Sequence, residues 1–142
     1  ALLDQVVPLA AVVTPNVPEA ARLTGRTIIG VDDMRRAAED LVGCGARSCL
    51  VKGGHLEGDV AVDVFYDGRE FRELNAERIA TPNTHGTGCQ LSAAIPAHLA
   101  AGRPLDEAVE RAEQCISAAL RAGLAIGSGP GPANPLAWLD ES

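Results

Sequence analysis

Aromatic side chains are scarce in these 142 residues: Trp, Tyr and Phe together make up 3% of the chain. A core here must therefore be built from Ala, Val, Leu and Ile, within an apolar fraction of 46%. Positive charge is short as well. Twelve Lys and Arg stand against 19 Asp and Glu, a formal net charge of −7, which argues against nucleic acid as a partner because phosphate-backbone binding needs a basic face. An anionic small molecule can still be held by a local site. No apolar run approaches the roughly 18 residues of a membrane span, so no membrane partner is expected. The opening ALLDQVVPLA has no basic stretch and carries Asp4, unlike a secretory leader. It also lacks an initiator Met and begins in mid-pattern, as a fragment or processed chain would.

Paired cysteines are missing too. Cys44, Cys49, Cys89 and Cys115 show no C-x-x-C and no zinc-like spacing. Three lie in apolar surroundings and read as small buried thiols of a cytoplasmic protein. Two familiar phosphate motifs are also absent. There is no G-x-x-x-x-G-K-[ST], and no G-x-G-x-x-G follows a strand, so a P-loop or a dinucleotide-binding turn is excluded.

What is present alternates between strand and helix. Residues 2–8 read as the end of a helix. Ala11–Thr14 is a short apolar run stopped by Pro15, as a buried strand would be. Pro18 opens a short helix, Glu19 to Leu23, that Gly25 closes. Asp32 is expected to cap a helix carrying Met34, Ala37, Ala38, Leu41 and Val42 on one stripe, ended by Gly43 and Gly45. Ser48–Val51 reads as a second buried strand, with Lys52-Gly53-Gly54-His55 as its turn. Val60, Val62 and Val64 alternate with Ala61, Asp63 and Phe65, and Phe71 begins another extended run after Asp67-Gly68. That is a hairpin with one wetter face.

A helix from about Cys89 to Ala101 follows, with a kink or break expected at Pro96. Another starts at Pro104 and carries Leu105, Ala108, Val109, Ala112, Cys115, Ile116 and Ala119. The tail is a loop, with Leu136–Leu139 as a short helical anchor. The expected class is α/β with a mostly parallel sheet, one domain, with no internal repeat and no linker dividing it.

The segment Asn83-Thr84-His85-Gly86-Thr87-Gly88-Cys89 carries the most chemistry. It is a glycine-bearing turn entering a helix, where unpaired backbone N–H groups and the helix dipole offer a ready anion site. Glycines let the backbone approach a phosphate closely. An ordinary loop before a helix has the same composition, and the physics alone does not separate the two.

This segment, with Leu91-Ser92-Ala93-Ala94, resembles the NTHGTGC-x-LSAA signature of hydroxymethylpyrimidine/phosphomethylpyrimidine kinases of thiamine biosynthesis, in the ribokinase superfamily. Three more stretches match in order. Thr14–Ala20 resembles TPN-x-x-EA, Leu50–His55 resembles the VKGGH strand end, and Gly127–Pro132 resembles the closing Gly-Pro loop. Together they span nearly the whole chain.

The resemblance implies a ribokinase-like sandwich of helices around a mostly parallel sheet, with residues 1–142 as its C-terminal, ATP-binding portion. It implies ATP and Mg²⁺ as cofactors and a pyrimidine alcohol as substrate. Gly86, Thr87 and Gly88 would form an anion hole for the transferring phosphoryl group. Cys89 would be the base that accepts the hydroxyl proton, in keeping with the thiolate that helix N-termini favour. Asn16 and Glu19 would help place Mg²⁺ through water, although Glu19 also suits a helix N-terminus. Lys52 would neutralise ATP phosphates, unless it only snorkels to solvent, and Thr84 would lie near the nucleotide. His55 and His85 have no second ligand at a suitable spacing and are not expected to bind metal.

Gln90 departs from the family's small hydroxyl residue, and Pro96 interrupts the following helix. Most of the acceptor pocket would belong to the family's first half. A homodimer, or association with that missing half, is the implied partner. Pyridoxal kinases of the same superfamily share the GTGC signature and are the rival reading. A nucleotide-binding fragment, catalytically insufficient alone, is the other.

Overall fold

The computed structural model describes residues 2–54, 60–77, 79, 81–82, 86–124, 126, 128–129 and 131–138. They fall into two compact units, residues 1–78 and 79–142.

In the first unit, residues 2–9 form two short helical turns, followed by α1 (Val17–Thr24) and α2 (Val31–Gly43). Three strands come next: β1 (Cys49–Val51), β2 (Val60–Tyr66) and β3 (Phe71–Glu77). Pro18 and Gly25 bound α1 as the sequence predicts, with Gly25 in the left-handed region at φ 70°. Asp32 is not the cap of α2. Gly30 holds that position, because the Asp33 carboxylate reaches back to the Ile29 N–H (3.1 Å) while Asp32 is engaged by Arg35.

The three-strand sheet is antiparallel throughout, in the order β1-β2-β3. A mostly parallel sheet was expected, and the connections explain the difference. Parallel neighbours need a crossover, and none of the described residues between β1 and β3 forms one. Where α1 and α2 do provide a crossover, the pairing is parallel. Val13 bridges Cys49 and Asn16 bridges Lys52 in parallel sense, through Val13 N–H to Ser48 carbonyl, Leu50 N–H to Val13 carbonyl and Lys52 N–H to Pro15 carbonyl. The Ala11–Thr14 strand of the sequence reading is this strip, beside β1.

The core of this unit sets Met34, Ala37, Ala38 and Leu41 of α2 against Cys49, Val51 and Val64, with Val17, Ala20 and Ile28 completing it. Leu50 and Phe65 are register partners. They alternate to the other face of the pleat and are also buried. The wetter face of the hairpin is therefore confined to the edge strand β3, where Arg72, Glu73 and Asn75 are exposed. Ser48, the one fully buried polar residue named in this core, donates its hydroxyl to the Ala11 carbonyl at 2.7 Å, so its burial leaves no polar group unpaired.

The second unit is a helical hairpin of α3 (Thr87–Ala100) and α4 (Leu105–Arg121), turned at Gly102 with φ 82°. Ala108, Val109, Ala112 and Ala119 of the predicted stripe are buried, with Leu91 and Ile95 of α3. Pro96 does not break α3, which continues past it to Ala100; the one intrahelical bond its ring removes is absorbed. Residues 131–138 return to the pair, where the Asn134 N–H meets the Ala119 carbonyl at 2.9 Å. Among the described residues no helix is long and apolar enough to cross a membrane.

Candidate functional site

Each unit holds one cluster of the predicted residues. In the second unit, Gly86 precedes α3 at φ 85° and ψ 0°, a left-handed conformation that a residue with a Cβ adopts at a cost. Among the described residues a Cβ there would meet only Gln90 Nε2 at 3.9 Å. The backbone turn itself calls for glycine.

Thr87, Gly88 and Cys89 then occupy the first turn, where helical N–H groups have no intrahelical partner. Among the described residues no side chain caps this end, and no acid lies in its first turn. By contrast α1 begins with Glu19, α2 with Asp32 and Asp33, and α4 with Asp106 and Glu107. Carboxylates at those three ends complement the helix dipole; α3 carries none in its first turn. Cys89 is exposed and a free thiol.

Two contacts steady this turn. Ser92 donates its hydroxyl to the Gly88 carbonyl at 2.9 Å. Gln90, which departs from the family pattern, reaches the Ala133 carbonyl at 3.2 Å and so ties α3 to the returning segment. No local sequence pattern announces that partner. Thr84, Asn83 and His85 lie outside the described residues, as does His55.

In the first unit, Asn16, Glu19 and Lys52 are neighbours. Asn16 and Lys52 bridge in register. Asn16 is also the cap of α1: its Oδ1 accepts the Glu19 N–H at 2.8 Å, and Glu19 Oε2 accepts the Asn16 N–H at 2.8 Å. The N-x-x-E pair is thus a reciprocal capping box, a role that the sequence reading had only for Glu19.

The fit to Mg²⁺ follows from what the box leaves over. It engages Asn16 Oδ1 and one Glu19 oxygen, and the second Glu19 oxygen takes no part in it. Mg²⁺ keeps most of its waters and takes one or two carboxylates together with substrate phosphates, so a single exposed carboxylate oxygen suits a water-mediated contact. Among the described residues there is no cluster of three or more His, Cys, Asp or Glu side chains able to cage a cation.

Beside Lys52, Gly53 donates its N–H to Asp63 Oδ1 at 2.7 Å. In the sequence Asp63 stands only as the polar partner in an alternating strand. An acid in the run VAVDVF runs against strand preference, and that was the available signal.

Outside these clusters, Cys44 is exposed and not the buried thiol expected of it, while Cys49 is fully buried and its thiol pKa is pushed up to about 12 by that burial. The Cys115 thiol is also raised by burial, and its sulfur lies 3.9 Å from His98 Nε2. Neither has the environment of a reactive thiolate.

Residues 1–134 match the phosphomethylpyrimidine kinase family. A hydroxymethylpyrimidine/phosphomethylpyrimidine kinase of Rhizobium meliloti is 53% identical over 135 residues, covering 93% of this chain and 51% of the relative. The thiamine biosynthesis bifunctional protein ThiED of Geobacter sulfurreducens is 48% identical over 133 residues, covering 94% of this chain and 27% of the relative. Among solved structures, the ADP complex of Bacillus subtilis pyridoxal kinase superposes with a TM-score of 0.92 at 41% identity, covering 97% of this chain and 52% of that one. The chain spans about half the length of the first of these relatives. With the signature over Gly86–Cys89 and the Asn16 and Lys52 segments in matching order, the chain belongs to the phosphomethylpyrimidine kinase family.

Proposed function

We propose that the polypeptide carrying this chain transfers the γ-phosphoryl group of ATP to the hydroxymethyl group of 4-amino-5-hydroxymethyl-2-methylpyrimidine. It then transfers a second one to the resulting monophosphate, giving the diphosphate used in thiamine biosynthesis. In this reading residues 1–142 are the C-terminal, ATP-binding portion of one ribokinase-like kinase domain, in the cytoplasm. The observation that carries it is the start of α3. Within a kinase-family match, this is a helix end with a left-handed glycine before it and, among the described residues, no acid in its first turn.

In the first transfer the alcohol oxygen attacks the γ-phosphorus, the bond to the β,γ-bridging oxygen breaks, and ADP leaves. The N–H groups of Gly86, Thr87 and Gly88 stabilise charge on the equatorial phosphoryl oxygens. Cys89 takes the hydroxyl proton. Lys52 neutralises phosphate charge, and Thr84 contributes a hydroxyl near the nucleotide. Asn16 and Glu19 orient water around Mg²⁺, which when bound offsets phosphate charge. The family's N-terminal half supplies most of the acceptor pocket, and a homodimer, or association with that half, is the expected assembly.

The two transfers differ in one respect. A primary alcohol must lose a proton, whereas a phosphate acceptor is already anionic at neutral pH. Cys89→Ser should therefore slow the first transfer far more than the second, followed by product mass. Equal losses in both steps would remove the base role and leave Cys89 a positional one. The likeness to a pyridoxal kinase favours a second reading, a vitamin B6 alcohol as acceptor. Turnover with pyridoxal beside the pyrimidine separates the two readings.

A further inference from the structure

The geometry points to Asp63 as the positioning residue for Lys52. It acts by ending the β1–β2 ladder and bending the Lys52-Gly53-Gly54 turn into its path. The inference rests on the reading of Lys52 as a nucleotide-phosphate group.

Val51 pairs with Val64, so two more residues of the same register would set Gly53 opposite Val62. The Gly53 N–H would then continue the ladder by meeting the Val62 carbonyl. It does not. That N–H is taken instead by Asp63 Oδ1 at 2.7 Å, and the strand ends at Val51. The turn also passes directly over Val62: a Cβ on Gly53 would overlap the Val62 carbonyl oxygen and press Met34 Cε at 3.0 Å. Only glycine allows that approach.

Lys52 is thus fixed from three directions. Its own N–H is held by the Pro15 carbonyl at 2.9 Å. Its register beside Asn16 sets it next to the capping box. On its other side the peptide of Gly53 is held by the Asp63 carboxylate. This hydrogen bond acts on the peptide unit that leaves Lys52. Without it, the 52–54 backbone is free to resume the ladder or to swing away. In either case the ammonium group moves.

Asp63 therefore acts on phosphate binding through backbone direction and not through its charge. The test is a double-mutant cycle in the chain, read by titration with MgATP and, separately, with adenosine. Lys52→Ala should weaken MgATP binding about tenfold and leave adenosine binding unchanged, the loss of one charged contact. Asp63→Ala should weaken MgATP binding by a similar factor. The double variant should be no worse than either single one, because both changes remove the same contact. Asp63→Asn keeps an acceptor oxygen for the Gly53 N–H and should stay within about twofold of the wild type.

The outcomes are distinct. A Lys52→Ala chain that binds MgATP normally overturns the reading of Lys52, whatever Asp63 does. A Lys52→Ala loss with no Asp63→Ala loss overturns the positioning role alone. Equal losses in Asp63→Ala and Asp63→Asn would make the charge, not the hydrogen bond, the active feature, and would also overturn it. Should Asp63→Ala not fold, hydrogen exchange decides: the Gly53 amide must be protected in the wild type and in Asp63→Asn, and fast exchange in the wild type overturns the inference.

Discussion

Asn16 and Glu19 can be taken apart by substitution, because the cap and the proposed metal contact ask for different atoms. The capping box exchanges two 2.8 Å hydrogen bonds between the Asn16 and Glu19 side chains and each other's backbone N–H. Asn16→Ala removes the acceptor for the Glu19 N–H, a loss of about 1 kcal/mol. With only 8 residues, α1 is well short of the length at which an isolated helix holds in water. The loss therefore falls on the packing of Val17 and Ala20, and in a chain of this size it lowers Tm by about 3–4 °C.

Glu19→Gln is the informative partner. Gln serves at this position of a capping box as Glu does, so Tm should stay within about 1 °C of the wild type. What it removes is the charge. A unit negative charge about 5 Å from a dication across water is worth about 1.7 kcal/mol in a water-like dielectric, somewhat more than tenfold in affinity. Glu19→Gln should therefore weaken MgATP binding about tenfold, leave Mg²⁺-free nucleotide binding unchanged and melt normally. Glu19→Ala should show both losses. Thermal melts followed by circular dichroism, and titrations at fixed free Mg²⁺, measure the two effects. A Glu19→Gln chain that melts and binds MgATP like the wild type would refute the metal role and leave the pair as a helix cap alone.

Three further predictions concern stability and reactivity. In folded protein a thiol reagent should label the exposed Cys44 and Cys89 first and the half-buried Cys115 more slowly. Cys49, buried and pushed up to about 12, should react only on unfolding; early labelling of Cys49 would contradict the core described above. Gly86→Ala should lower stability by about 1–2 kcal/mol through its left-handed φ alone, with Asn recovering part of the loss, as denaturant midpoints would show. An unchanged midpoint would mean that the turn relaxes.

The Asp67 carboxylate is held below its ordinary value of 3.8 by N–H groups of Glu70 and then Arg69. A lowered folded pKa gives stability that is present above pH 3.8 and is lost as pH falls through the folded value. Urea midpoints of the wild type should therefore decline below about pH 4. Asp67→Asn should flatten part of that decline, and an unchanged slope would exclude Asp67 as a source.

The helices and the signature turn were legible because their signals are local. Pro18 and Gly25 mark the ends of α1, and the spacing of Met34, Ala37, Ala38 and Leu41 marks the buried face of α2. Sheet polarity was less legible. A strand-helix-strand order implies parallel pairing and correctly anticipates the strip at Val13 and Asn16, but β1 to β3 follow one another without a crossover helix among the described residues. The box at Asn16 and Glu19 was readable in its spacing. That spacing does not separate the two roles, because oxygen-bearing side chains three residues apart suit a metal as well as a helix end. Pro96 was expected to kink or break α3, yet that helix, whose mean composition is apolar around Leu91 and Ile95, runs on past it. Gln90 and Asp63 act through partners distant in sequence, Ala133 and Gly53, which no local pattern announces.

The phosphate contacts proposed for the first turn of α3 and, separately, for the end of β1 are tested most directly at their backbone amides. Titrating MgATP into isotopically labelled chain, with adenosine as the control, should shift the amide resonances of Gly86, Thr87, Gly88 and Cys89, and of Lys52 and Gly53. Adenosine alone should leave them in place. A folded chain in which MgATP leaves these amides unmoved, or moves them no more than adenosine does, would contradict the account.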